Sequence, residues 1–522
     1  MGLDPWLTGR RRLVLAALLG VAAALGQAPW NLYGLTLLAL AGLVWLVCRA
    51  GSPRSALWTG LAAGTGHFTL ALSWIVEPFL IDVARHGWMA PFAVVLLSSG
   101  LALFWAVAAA LALRFPRPAL GFVAAFTALE WLRGVILTGF PWAMAGHVWI
   151  GSPVDQLAVL VGPSGLTLLT LLASALPVAF RWRGLALSAA MLVAAAAFGT
   201  WRLGQPLPAD HEATLRLVQP NAAQSLKWDE TLARSHLDRL LALTAEGTGA
   251  DLVIWPETAV PYMLEYAPSV AGMIAEAAQG RPVATGIQRE EGELFFNSLR
   301  VLAGGGEEIA RYDKHHLVPF GEYVPFGDLA YGWFGIRAFA AQAGATYSAG
   351  PGPAILDLGP LGRVLPLICY EAVFPRLVNA APERADWMLQ ITNDAWFGIR
   401  TGPFQHFDQA RLRAVEQGLP LIRVANTGVT AVIDARGRVR QELPFGEAGL
   451  LDTALPAALP PTPYSRFGDL PLALMLAGLA VLARRRPRAR PLTARLSAAK
   501  REGNRHNGFL TWRGSTQWSP FP

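Results

Sequence analysis

Apolar stretches long enough to cross a hydrocarbon layer recur through residues 1–200, and nothing else in the chain restricts its fold so severely. They fall near 13–29, 32–48, 55–75, 88–113, 119–138, 155–180 and 184–200, and an eighth lies near 469–483 beyond a long polar region. A backbone surrounded by lipid has to satisfy its own hydrogen bonds, so such segments are expected as helices. The chain therefore reads as a polytopic α-helical bundle of eight spans carrying a separate globular region. Only 15% of the 522 residues are charged, where a soluble chain would have about a quarter.

The basic residues give the orientation. Arg10, Arg11, Arg12, Arg49, Arg54, Arg114, Arg117, Arg181, Arg183 and five arginines between Arg484 and Arg490 all fall on one side of the spans. The short loops of the other side hold only Arg85. Lys and Arg collect on the cytoplasmic side. Both termini are thus expected in the cytoplasm, with residues 201–468 facing outward. The formal charge of +7 raises nucleic acid as a partner, but clusters between apolar runs are a topology signal, and no nucleic acid is expected. Residues 10–26 also resemble a cleavable signal peptide, a reading disfavoured because further spans follow at once. Even then the outward region stays outward. Glu130 and Arg133, one turn apart in the fifth segment, are expected to pair with each other.

The outward region alternates β-rich runs, among them Thr214–Gln219, Arg363–Ile368 and Trp387–Thr392, with helical patterns at 228–246, 267–279, 370–380 and 403–418. This is the signature of an α/β domain on packed sheets. An aromatic, glycine-punctuated run between Tyr323 and Tyr347 is either packed under the domain or a loop at the lipid interface.

Of two cysteines, Cys48 reads as part of a span and Cys369 as part of the globular region, so no disulfide is expected. Cys369 ends an apolar strand just before the helical pattern at 370–380, a corner where a helix dipole would favour thiolate. Glu257 follows another apolar strand in Trp255-Pro256-Glu257, where a general base can point into a cleft. Lys314 sits in the run from Tyr312 to Pro325, placed to donate to an oxyanion. Singly, Glu257 and Lys314 are ordinary surface charges. With Cys369 they make up the minimum set for acyl transfer through a thioester. Adjacent His315 and His316 point to different faces, and no metal or other cofactor is expected.

The WPE, YDKHHLVPFGEYVP and ICYE motifs resemble the nitrilase-type carbon–nitrogen hydrolases. Together with LKWDE at 226–230, ITNDAWFG at 391–398 and the anchor, they resemble more narrowly the apolipoprotein N-acyltransferase family of Gram-negative bacteria. The likeness covers roughly residues 10–484. It implies an αββα sandwich and a Glu–Lys–Cys triad on Glu257, Lys314 and Cys369. It also implies supporting or lining roles for Trp228, Asn297, Glu322, Tyr370 and Glu371, each of which also has a plain packing or turn reading.

The organisation that follows is seven spans in 1–200, a periplasmic catalytic domain in 201–468, an eighth span at 469–483 and a basic, disordered cytoplasmic tail at 484–522. The expected reaction moves an acyl chain from a phospholipid to Cys369, then to the amino terminus of a diacylglyceryl apolipoprotein. The expected setting is the bacterial inner membrane, with the protein a monomer. A membrane-anchored amidase transferring to water is the alternative. A non-enzymatic receptor or transporter fits poorly with the retained triad and with spans holding few charges.

Overall fold

The computed structural model describes residues 9–222, 230–247, 249–325 and 346–485. Trp228, most of the aromatic run after Tyr323 and the tail beyond Arg485 lie outside the described residues.

A helix stands on each of the eight apolar segments: Gly9–Ala24, Tyr33–Cys48, Pro53–Ala71, Ala90–Ala112, Pro118–Arg133, Ala158–Phe180, Trp182–Gly204 and Leu470–Arg484. Fewer of them have membrane length. Val83–Ala112, Pro153–Phe180 and Trp182–Gly204 are long and apolar enough to cross a bilayer, while Tyr33–Cys48 and Leu470–Arg484 are shorter apolar helices. The third segment stops at Ala71 and continues as a 3-10 stretch, Ser73–Leu80, that contains Pro78. Such a tight turn cannot extend an α-helix through a proline.

The bundle packs through small residues. A Cβ added at Gly20 would meet the Ala63 carbonyl oxygen at 1.9 Å, and one at Gly66 would meet that of Ala17 at 2.2 Å. The first and third helices therefore touch backbone to backbone. The fifth helix ends earlier than expected, at Arg133, whose guanidinium turns to a buried partner set. It pairs with Glu130 at 2.8 Å and donates to the carbonyls of Phe140 and Trp142. Trp105 Nε1 donates to Glu130 at 3.0 Å. The pair is structural, pinning the returning loop against the bundle.

The globular region holds two six-stranded sheets. The first is ordered β12-β1-β2-β3-β4-β5, from Gly449–Ala454, Thr214–Gln219, Leu252–Ile254, Val283–Glu291, Leu294–Leu302 and Glu308–Asp313. The second is β6-β7-β8-β9-β10-β11, from Leu356–Asp357, Arg363–Ile368, Trp387–Thr392, Leu421–Ala425, Thr430–Ile433 and Val439–Leu443. Both follow one pattern: an antiparallel edge, three parallel strands, then two antiparallel strands.

Alternation along the strands builds the layers. Leu215, Leu217, Leu252 and Ile254 meet Ile368, Leu389, Ile391 and Val424 between the sheets. Val253 and Trp255 instead face the helices Glu230–Ala245 and Pro268–Ala278. Leu365, Leu367 and Met388 face Gly402–Gln417. The domain is thus an α/β sandwich with helices on both outer faces.

One expected helix is not continuous. Residues 370–380 form a 3-10 turn, Cys369–Val373, and a short helix, Pro375–Asn379. Pro375 keeps Phe374 extended, at φ −102° and ψ 104°, which breaks the helical run.

The bundle docks on the sandwich through Trp142. Its Nε1 donates to Gln405 Oε1 at 2.7 Å, and its ring packs on Trp74 and Phe397. Replacing Arg133 by Leu strands the buried Glu130 carboxylate, a loss of about 3–5 kcal/mol. Thermal unfolding in detergent should show Arg133→Leu far below wild type, and a double variant, Glu130→Gln with Arg133→Leu, should recover part of the loss.

Candidate active site

β7 is a fully apolar strand from Val364 on, so its end is fixed in the sandwich core. Cys369 follows at once with φ +53°, a left-handed conformation that a side-chain-bearing residue rarely adopts. Such a corner is held by its surroundings. Here Glu371 does the holding. Its Oε2 accepts from the Ile368 N–H at 2.8 Å, while its Oε1 accepts from Tyr312 Oη at 2.8 Å and from the His315 and His316 N–H groups. Fully buried, this carboxylate ties the loop after β5 to the corner after β7. Burial alone would raise its pKa, but the hydrogen bond and charge of His315, with the Ile368 N–H, hold it below the ordinary value.

Lys314 starts that loop. Its Nζ lies 2.9 Å from Glu322 Oε1 and 3.7 Å from Glu257 Oε1, and only 1% of the side chain is exposed. Burial opposes the ammonium, yet the two carboxylates and Cys369 outweigh it and hold Lys314 above its ordinary value. It is a fixed cation.

Glu257 leaves the end of β2. Its Oε1 accepts from Asn297 Nδ2 at 2.8 Å and its Oε2 from the Asn393 N–H at 2.8 Å. Asn297, on β4, also donates through Nδ2 to Glu322 Oε1 at 3.0 Å. One amide thus sets the spacing of two carboxylates around one lysine. Glu322 Oε2 is anchored by the Val318 N–H at 2.8 Å.

Cys369 is buried and free. Burial, then the negative charge of Glu257, push its pKa well above the ordinary thiol value, and Lys314 opposes them only in part. The expectation of a dipole-stabilised thiolate is therefore overturned. A five-residue 3-10 turn replaces the helix, and it cannot offset desolvation. The resting Cys369 side chain is therefore a neutral thiol.

The structure thus brings Glu257, Lys314, Cys369, Asn297, Glu322 and Glu371 into one cluster. Tyr370 packs edge-on against Phe374, 4.8 Å between centroids, and stacks with His316. Trp228 lies outside the described residues. The two histidines part company, His315 to Glu371 and Tyr312, His316 to the Tyr370–Phe374 pair. Among the described residues no three His, Cys, Asp or Glu side chains gather as a metal site.

A second layer escaped the sequence reading. The Cys369 carbonyl accepts from His406 Nε2 and Gln390 Nε2, both at 3.0 Å. His406 Nδ1 sits 2.8 Å from Asp394, which also pairs with Arg423 and accepts from Thr392 Oγ1. Burial would raise Asp394, but Arg423 and His406 hold it at about 2. Asp394 lies within the ITNDAWFG motif, so its position was visible even though its role was not.

Two changes around the thiol should act in opposite directions. Only thiolate alkylates, so the reaction of Cys369 with iodoacetamide should still be rising at pH 9. Glu257→Gln removes a charge that raises the thiol pKa, so alkylation at pH 8 should quicken by about threefold or more. Lys314→Met should slow it by a similar factor.

Comparison with known proteins follows the same division of the chain. Residues 214–462 match the carbon-nitrogen hydrolase family model, and residues 19–176 match that of the apolipoprotein N-acyltransferase N-terminal domain. The apolipoprotein N-acyltransferase of Caulobacter vibrioides is 41% identical over 90% of this chain and 94% of its own. That of Bradyrhizobium diazoefficiens is 39% identical over 92% and 95%. Among solved structures, an amidase from Nesterenkonia sp. aligns at 20% identity and a TM-score of 0.37, over 52% of this chain and 98% of that one.

Proposed function

The chain belongs to the apolipoprotein N-acyltransferase family, and we propose that Glu257, Lys314 and Cys369 carry its reaction through a thioester on Cys369. The enzyme is an N-acyltransferase that acylates lipoproteins. The observation that carries the catalytic assignment is the buried cluster in which Lys314 lies between Glu257 and Glu322 beside a neutral thiol.

Glu257 takes the proton from Cys369 as Sγ attacks the ester carbonyl of a phospholipid. Lys314 stabilises the oxyanion, a contribution that is large in a dry site. The C–O bond breaks, the leaving lysophospholipid oxygen receives the proton from Glu257, and an acyl thioester remains. The α-amino group of a diacylglyceryl apolipoprotein then attacks. Glu257 takes a proton from the amine, the C–S bond breaks, and the thiolate is reprotonated. Asn297 and Glu322 position the base and the lysine, and Glu371 holds the corner. Tyr370, next in the chain to the thiol and packed on Phe374, lines the path to it.

All eight helices span the inner membrane of a bacterium, with both termini and the 484–522 tail in the cytoplasm and residues 201–468 in the periplasm. What supports this is the run of arginines at one set of helix ends. The shorter helices reach across with their flanking turns, at modest cost in mismatch. Both substrates are lipids of one leaflet, so a monomer anchored there meets them at high effective concentration.

Purified protein given acyl-labelled phospholipid should carry hydroxylamine-sensitive label on Cys369. Cys369→Ser should carry none and lose turnover by about a thousandfold or more. Label that discharges to water as fast as to an amine would identify an amidase instead. For topology, a cysteine in place of exposed Tyr266 should react with an impermeant maleimide in spheroplasts. One in place of exposed Arg114 should react only after lysis.

A further inference from the structure

The buried group of Asp394, His406, Gln390 and Arg423 does not touch the thiol, base or lysine, yet it closes on the main chain of the nucleophile. Asp394, His406, Gln390 and Arg423 are all fully buried. The Cys369 carbonyl can only accept, so His406 Nε2, 3.0 Å away, carries the hydrogen of that contact. Gln390 Nε2 supplies a second donor at 3.0 Å. Each donor has its own anchor: Asp394 Oδ1 lies 2.8 Å from His406 Nδ1, and Arg423 donates to Gln390 Oε1 at 2.5 Å. The His406 ring also stacks on Trp142 at 5.8 Å and meets Phe397 edge-on at 5.2 Å between centroids.

A carbonyl held by two anchored donors cannot rotate. The peptide joining Cys369 to Tyr370 is trans, and a trans peptide is planar with its C=O and N–H pointing opposite ways. Fixing the carbonyl on the His406 side therefore fixes the Tyr370 N–H on the other. We propose that His406, with Gln390, is a positioning residue that aims the Tyr370 N–H at the oxygen of the acyl group bound to Cys369. That N–H is then the second oxyanion donor beside Lys314. The left-handed φ of Cys369 is what makes such a clamp necessary, since nothing intrinsic to the residue favours that orientation. The proposal rests on the thioester reading above.

The test compares two amides at one position in the full-length protein. Gln in place of His406 puts an N–H near the Nε2 position and can still reach the Cys369 carbonyl. Asn puts one near Nδ1, keeps Asp394 satisfied and leaves the carbonyl with Gln390 as a single donor, free to swing about it. Rates of hydroxylamine-sensitive labelling of Cys369 are measured in a single turnover with acyl-labelled phospholipid, and again with a p-nitrophenyl acyl ester. Iodoacetamide alkylation reports the thiol without any oxyanion.

H406N should acylate about a hundredfold more slowly than wild type with either donor, in line with loss of one oxyanion contact. Its half-saturating donor concentration and its alkylation rate should stay within about threefold of wild type, because Cys369, Glu257 and Lys314 remain in place. H406Q should recover at least about tenfold of the acylation rate. Equal rates in H406Q and H406N, or alkylation falling in parallel with acylation, would overturn the clamp. Wild-type protein that takes acyl groups from the activated ester but never from phospholipid would instead sink the proposed reaction. The ranking of the two variants on that ester would still decide the clamp.

Discussion

A lysine ammonium removed from water and held between two carboxylates is the interaction on which the rest of this site depends. Desolvating such an ion costs several kcal/mol even after relaxation, so Lys314 remains charged only because Glu257 and Glu322 flank it. Those carboxylates would repel each other without the lysine, and Asn297 Nδ2 bridges them to fix their separation. The cluster is therefore complete before any substrate arrives. It also sets the protonation of Cys369: a thiolate beside two carboxylates would add a third negative charge to one buried cation. A neutral thiol beside Glu257 and Lys314 is the arrangement that the electrostatics favour.

The repeated sheet pattern explains how these groups meet. In each sheet the clustered residues leave the ends of the parallel strands or lie on and after the antiparallel strands beside them. Glu257 follows β2, Asn297 lies on β4, Lys314 follows β5, Cys369 follows β7 and Asn393 follows β8. Ligand sites form outside the carboxyl ends of parallel strands, where chain directions diverge and backbone groups are unpaired. Face-to-face packing of the two sheets brings those ends together. Glu371 then ties the first sheet's lysine loop to the second sheet's cysteine corner through one carboxylate. Four of its hydrogen bonds join segments more than fifty residues apart or brace the corner itself, so it acts as a main-chain fastener.

Much of this was legible in the sequence because hydrophobic period and motif spacing report local structure. Strands at Thr214–Gln219, Arg363–Ile368 and Trp387–Thr392 and the helices at 267–279 and 403–418 stand where alternation and amphipathic spacing put them. β11 and β12 were not legible: β11 is largely exposed and β12 only partly buried, and with Arg440, Gln441 and Asp452 among them they carry too little apolar alternation to mark strands. The helix expected at 370–380 failed on Pro375, whose effect on Phe374 was there to be read. The lengths of the membrane helices depended on where Arg133 and Pro78 find partners or break the turn, which composition does not encode. His406 went unnoticed for a similar reason. A histidine amid helical spacing reads as packing, and only the fold brings the Cys369 carbonyl to it.

That contact also changes what the helical bundle is for. A tether would need no particular surface against the sandwich, yet Trp142 of the bundle donates to Gln405 and stacks on His406, one residue further along the same helix. Gln405 reaches on to the Ala28 carbonyl at 3.2 Å, in the turn between the first two helices. Trp142 is itself held where it is by Arg133, whose guanidinium binds the carbonyls on either side of Pro141. A continuous chain of packed and hydrogen-bonded groups thus runs from the buried Glu130–Arg133 pair through Trp142 and His406 to the Cys369 peptide. Each link is buried, so each is stiff, and a shift of the loop after the fifth helix would be felt at Cys369. Part of the bracing of this corner thus comes from the bundle, which makes bundle and sandwich one mechanical unit.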